Sequence, residues 1–184
     1  MGKVIIGTTM SLDGFMNDRN GSVQRLYPDL AALGETEMLQ DSIKTTGAVV
    51  MGMRSFEMAQ GDLTGYEYQV PIFVLTHNVP KMTIKGENEN LSVSFVTDGI
   101  ESAIAKAKTA AGDKNVMVVG GADTAQQCMK VGLVDEIEIG IMPVLLGGGL
   151  RFFEYLTDEQ IQLEKIRLLE SSGGRTDIYF RVVK

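Results

Sequence analysis

The sequence predicts an α/β fold of three layers, a mixed sheet with helices on both faces and an antiparallel hairpin at its C-terminal end. Three observations carry that expectation. Continuous apolar runs recur, V-I-I (4–6), A-V-V-M (48–51), I-F-V-L (72–75) and V-M-V-V (116–119), as strands covered on both sides require. Helical patterns lie between these runs, so strand and helix alternate. In the last third the pattern becomes strict alternation, which suits antiparallel strands with one apolar face.

The elements follow in order. After the first strand, Glu37 to Thr46 reads as a helix with Leu39 and Ile43 inward and Gly47 as its stop. Ser92 to Val96 adds a strand. Asp98 with Glu101 makes a capping box for a helix whose inner face is Ile100, Ile104, Ala107 and Ala111, ended by Gly112. A further helix begins near Asp123 and stops at Gly132. Ile137, Ile139 and Ile141 then alternate with Glu136, Glu138 and Gly140, a strand with one apolar face. Gln160–Glu170 and Thr176–Lys184 flank S-S-G-G-R as the two arms of the hairpin.

A length of 184 residues without repeats or linkers points to one domain over residues 1–184. The hydrophobic share is 44% and the charged share 22%, as in ordinary globular proteins. A net charge of −7 argues against nucleic acid or an anionic membrane as the main partner. Cys128, the single cysteine, excludes an intramolecular disulfide and reads as a buried helix thiol. No metal-ligand cluster stands out. The first residues do not read as a signal peptide and no run reaches membrane-spanning length, so a cytoplasmic setting is expected.

Chemistry is expected beyond the carboxyl ends of the strands, where open α/β sheets bind ligands. There the chain places T-T-M-S-L-D-G, G-M-R-S-F-E, T-H-N and G-G-A-D-T, all small or polar. G-x-G-x-x-G is absent, which excludes the Rossmann fingerprint. Gly120–Gly121 still suits a phosphate, because backbone without Cβ atoms approaches closely and free amides mark a helix start. Asp13 is the candidate general acid, and Asp13–Gly14 is equally a turn pair.

V-V-M-G-M-R-S-F-E, V-L-T-H-N, V-M-V-V-G-G-A-D-T and P-V-L-L-G-G-G, in this order, resemble the dihydrofolate reductase-like fold. S-L-D-G and P-V-L-L-G-G-G make the branch containing the reductase domain of bacterial riboflavin biosynthesis the nearest match. The resemblance implies NADPH bound along the strand edge by Gly52, Met53, Arg54 and Ser55, by Thr76, His77 and Asn78, and by Gly120, Gly121, Ala122, Asp123 and Thr124. Arg54 beside Ser55 suits a 2′-phosphate. Substrate is expected at Met10, Ser11, Leu12, Asp13, Gly14 and Phe15, and at Leu146, Gly147 and Gly148.

The implied activity is hydride transfer to a C=O or C=N group of a small heterocyclic (pyrimidine- or pteridine-like) or sugar-linked substrate. The relevant likenesses are 5-amino-6-(5-phosphoribosylamino)uracil reductase and dihydrofolate reductase. A non-catalytic nucleotide or metabolite-binding module on the same fold is the alternative. True dihydrofolate reductases carry a substrate-binding carboxylate on the helix before V-V-M-G; Thr36 stands there, between Glu35 and Glu37. The resemblance also implies a homodimer.

Overall fold

A computed structural model describes residues 2–156 and 160–184. One sheet is built from β1 (Val4–Ser11), β2 (Thr46–Gly52), β3 (Ile72–Leu75), β4 (Val93–Val96), β5 (Asn115–Val118), β6 (Glu136–Met142), β7 (Leu163–Glu170) and β8 (Thr176–Val182). Their order across it is β4-β3-β2-β5-β1-β6-β8-β7. The strands from β4 to β6 run parallel, whereas β8 lies antiparallel to both β6 and β7. This is the mixed sheet that the sequence predicts.

The helices are α1 (Leu30–Gly34), α2 (Glu37–Thr45), α3 (Met53–Met58), α4 (Ile100–Ala111) and α5 (Ala122–Lys130). Ala103, Ile104 and Ala107 of α4 and Ala125 and Cys128 of α5 bury one face of the sheet against Val4, Ile6, Val50, Val118 and Ile137. Phe56 of α3, with Leu63 and Tyr68, closes the other face on Ile5, Val49, Met51 and Val74, and Leu39 and Ile43 of α2 pack there too. Neighbouring residues of one strand therefore enter different cores, which is why the central strands read as unbroken apolar runs. Burial pushes the Cys128 thiol up to about 12, consistent with a packing role. Among the described residues, no helix is long and apolar enough to cross a membrane.

Three local expectations change. Gly47 does not stop α2: the helix ends at Thr45 and β2 starts at Thr46, so Gly47 lies inside the strand. A Cβ there would stand 2.8 Å from the Ala111 carbonyl oxygen, where the β2–β5 register shifts. Asp98 forms no capping box. Gly99 takes the cap position at φ 96°, which moves Asp98 one residue out; its carboxylate accepts from Ser102 Oγ at 2.8 Å and Lys106 Nζ at 3.1 Å instead. Most consequential, the acidic face of β6 is covered: Glu138 is only 9% exposed.

Candidate functional site

Parallel β3, β2 and β5 are neighbours, so the segments after them share one edge of the sheet. The Gly52 amide donates to the Gly120 carbonyl at 3.1 Å. A Cβ on Gly52 would lie 2.5 Å from Thr124 Oγ1, and one on Gly120 would lie 3.3 Å from Ser55 Oγ. The starts of α3 and α5 are thus pressed together at a spacing that only glycine permits at Gly52. The Gly120–Gly121 peptide is cis, with Gly120 at φ 79°. Gly121 is the N-cap of α5 and no side chain caps that helix. The first-turn amides, at Ala122, Asp123 and Thr124, are therefore open to an anion. Arg54 is exposed at the start of α3, with Met53 half-buried beside it. After β3, Thr76 Oγ1 donates to the Asn78 carbonyl at 2.8 Å and His77 is exposed. The structure therefore gathers the three expected cofactor segments on one edge.

Beside that edge, reaching Gly120, a cavity of about 200 Å³ opens beneath α2. Its chemistry follows from the strand register. Glu138 stands in a row with Gly7 of β1 and Tyr179 of β8, and the next row is Thr9, Gly140 and Asp177. Gly7 leaves space above Glu138, and a Cβ there would lie 2.9 Å from Met117 Sδ. Over Gly140 lies the Arg175 guanidinium, which a Cβ at that position would meet at 1.9 Å. Arg175 Nε donates to Asp177 Oδ1 at 2.6 Å and Nη1 to Thr9 Oγ1 at 2.8 Å, with both members of the pair buried. Ser42 of α2 and Tyr68 share a hydrogen bond of 2.8 Å on the far wall.

Glu138 is the group without such support. Among the described residues nothing hydrogen-bonds its carboxyl. Burial, reinforced by Glu136, Asp41 and Asp177 and opposed by Lys3, pushes the carboxyl up to about 7. Across the strand pair, the Tyr179 hydroxyl is buried with no hydrogen-bond partner among the described residues. A carboxyl poised near neutrality in a cleft can hold or release a proton there.

The expected substrate segments are brought together, but none of their residues lines this cavity, whose β1-side lining is Gly7, Thr8, Thr9 and Met16. Asp13 accepts from Ser11 Oγ at 2.6 Å and from the amides of Leu146 at 3.1 Å and Gly147 at 2.8 Å. The Ser11 hydroxyl and these amides hold its carboxyl down to about 2. Asp13 is thus ionised at neutral pH, which does not suit a proton donor; it ties Ser11–Phe15 to the triple-glycine segment. Two amides expected to face substrate, those of Leu146 and Gly147, are already engaged. Gly148 serves close packing, since a Cβ there would lie 2.2 Å from Arg19 Nε. Leu12 is exposed, Gly14 turns at φ 84°, and Met10 packs against the α5-side core. Phe15 is buried under Arg151, whose guanidinium carbon is 4.3 Å from the ring centroid. Asp13→Ala is expected to speed amide exchange at Leu146 and Gly147 while leaving Val116–Val118 protected, as hydrogen-exchange mass spectrometry would show.

Neither acid beside Thr36 enters the cavity. Thr36 caps α2, Glu35 is exposed, and Glu37 pairs with Arg167 of β7. The buried carboxyl that faces the cleft comes from β6 instead, and the exposed Glu67 lines it as well. Sequence reading missed Glu138, Arg175, Asp177, Ser42 and Tyr68. One signal was present: T-D-I-Y-F-R-V puts Asp177 and Tyr179 on the same face as Glu136 and Glu138, more polar atoms than a wet strand face needs.

Residues 2–179 match the family model of the RibD C-terminal domain. The uncharacterized protein YwjB of Bacillus subtilis (strain 168) is 26% identical over 157 residues, covering 85% of this chain and 86% of that protein. A putative riboflavin biosynthesis protein from Shewanella sp. PV-4 superposes with TM-score 0.80 at 22% identity, covering 99% of each chain. Dihydrofolate reductase from Enterococcus faecalis, solved with NADP(H) and RAB-propyl, superposes with TM-score 0.67 at 16% identity, covering 100% of this chain and 98% of that one. The chain belongs to the RibD C-terminal domain family and carries the dihydrofolate reductase-like fold.

Proposed function

We propose that this protein is an NADPH-dependent reductase that transfers a hydride to a C=O or C=N group of a small heterocyclic or sugar-linked substrate. One observation carries the reading: an uncapped helix start beside Ser55 adjoins a cleft whose lining reaches Gly120. The residues fit a dinucleotide. Gly52 lets the starts of α3 and α5 pack closely, the α5 amides would donate to a pyrophosphate, and Arg54 with Ser55 would donate to a 2′-phosphate. When bound, the dihydronicotinamide supplies the hydride. The chain's own part is to orient substrate under α2, to exclude water with Met16, Met38 and Leu39, and to hold a proton at Glu138. The solved Enterococcus reductase with NADP(H) supports this reading through its shared fold. On the same reading the protein works as a single-domain, cytoplasmic homodimer.

The test is a titration with NADPH and with NADH, followed by nicotinamide fluorescence, which no protein tryptophan obscures. Saturable NADPH binding is expected. Arg54→Ala should weaken it roughly tenfold or more, the scale of one lost charge-assisted hydrogen bond, with NADH little changed. Absence of binding to either nucleotide would remove the reading. Binding without oxidation across a carbonyl and pteridine panel would favour the non-catalytic module.

A further inference from the structure

We infer that the cleft under α2 selects a planar, positively charged N–H group, an amidinium or a protonated C=N ring, over phosphorylated or carboxylated ones, with Glu138 setting the preference. This deepens the reductase reading and rests on it only in treating the occupant as substrate.

The argument begins with a missing partner. Glu138 is nine-tenths buried, lines the cavity, and receives no hydrogen bond among the described residues. A buried carboxyl in that condition is costly when ionised, and a ligand that supplies donors relieves the cost. An amidinium offers two parallel N–H groups, the geometry that a carboxylate accepts best. The walls suit a flat ring, with Met16, Leu33, Met38 and Met117 lining the same cavity as the carboxyl.

Most surrounding cations are already committed, and Lys44 of α2 and Lys165 of β7 are exposed to solvent. On β1, Lys3 pairs with Glu136 at 2.7 Å. On β8, Arg175 is held by Asp177 and Thr9, and Arg181 pairs with Glu164 at 2.9 Å. On β7, Arg167 bridges Glu37 and Asp41 of α2. The remaining titratable groups near Glu138 are Tyr179 of β8 and, along the lining, Glu67, Tyr68 and Tyr27. An anion in the cleft would meet Glu138 and Glu67, and the cation in the lining among the described residues, Arg175, is already neutralised by Asp177 and turns its Nη2 only to Met38 Sδ at 3.8 Å. Electrostatic repulsion in a low-dielectric site makes that arrangement unfavourable.

Three probes of one shape and different charge test this: benzamidine, benzamide and benzoate, titrated calorimetrically into the full chain without nucleotide. At pH 8 benzamidine is expected to bind at least tenfold tighter than benzamide, and benzoate more weakly than both. The preference should shrink as pH falls below about 7, where the Glu138 carboxyl is protonated. Glu138→Gln should bring benzamidine to the level of benzamide and leave benzamide unchanged. Glu136→Gln, at a carboxylate paired with Lys3, should preserve the preference. Equal affinities, tightest binding of benzoate, no benzamidine binding up to its solubility, or a preference that survives in Glu138→Gln would each overturn the inference. The NADPH titration is scored separately, so nucleotide binding with no charge preference sinks this inference alone. Charge preference without nucleotide binding sinks the reductase reading alone.

Discussion

Arg175→Met is expected to destabilise the protein by about 3–5 kcal/mol, the range for removing one partner of a buried ion pair. For a chain of this size that is a fall in thermal midpoint on the order of 10 °C. Asp177 is 0% exposed, and its two side-chain partners are Arg175 Nε and Ser171 Oγ, each at 2.6 Å. Methionine keeps much of the arginine's length but leaves Asp177 with a hydroxyl donor and no counter-charge. Three further variants show whether the loss is electrostatic. Arg175→Met with Asp177→Leu should recover most of the stability, because no uncompensated charge remains. Gly140→Ala should be strongly destabilising in the parent, where its methyl group collides with the guanidinium, and much milder beside the slimmer methionine. Thermal denaturation of the parent and the four variants measures all of this. Additive losses would mean that Arg175 and Gly140 do not interact.

Glu138→Gln should make the protein more stable at pH 8, by about 2–3 kcal/mol, and nearly neutral at pH 4.5. The sign follows from the direction of the shift. The folded-state carboxyl is raised to about 7 from an ordinary 4.5, so the native state holds its proton more tightly than the unfolded chain does. The stabilisation from this proton is complete below about pH 4.5 and is lost as pH rises through about 7. Glutamine removes that loss while preserving shape. Chemical denaturation at pH 4.5, 6 and 8 should show the gap between variant and parent opening across this window. A gap that is flat with pH would mean that the carboxyl titrates normally and faces water. The same substitution is expected to lose discrimination between cationic and neutral ligands, so stability and selectivity trade against each other at one residue.

Much of the fold was legible because local physics wrote it plainly. Val4–Ile6, Val49–Met51, Ile72–Leu75 and Val116–Val118 are apolar on both faces because helices cover both faces. The inner stripe of α4 and the alternation along β6 obey periods that no tertiary contact had to impose. The glycines at Gly52, Gly120 and Gly121 announced a close backbone approach, and the structure shows what approaches: Thr124 and Ser55.

The cleft was not legible, because its parts are distant in sequence and only strand order makes them neighbours. Glu138 reads locally as the wet face of an alternating strand. It becomes a buried, near-neutral carboxyl because β1 and β8 flank β6 and the cleft-side face lies under α2. Asp13 looked like the acid because its segment follows the first strand where substrate is expected; the Ser11 hydroxyl, with amides more than 130 positions away, holds its carboxyl low. The sequence by itself determined the α/β class, the helix and strand faces and the glycine edge, all set by neighbours a few residues apart. Which carboxyl faces the cleft, and in what protonation state, was decided by tertiary structure, because desolvation and charge pairing depend on contacts that no local pattern records.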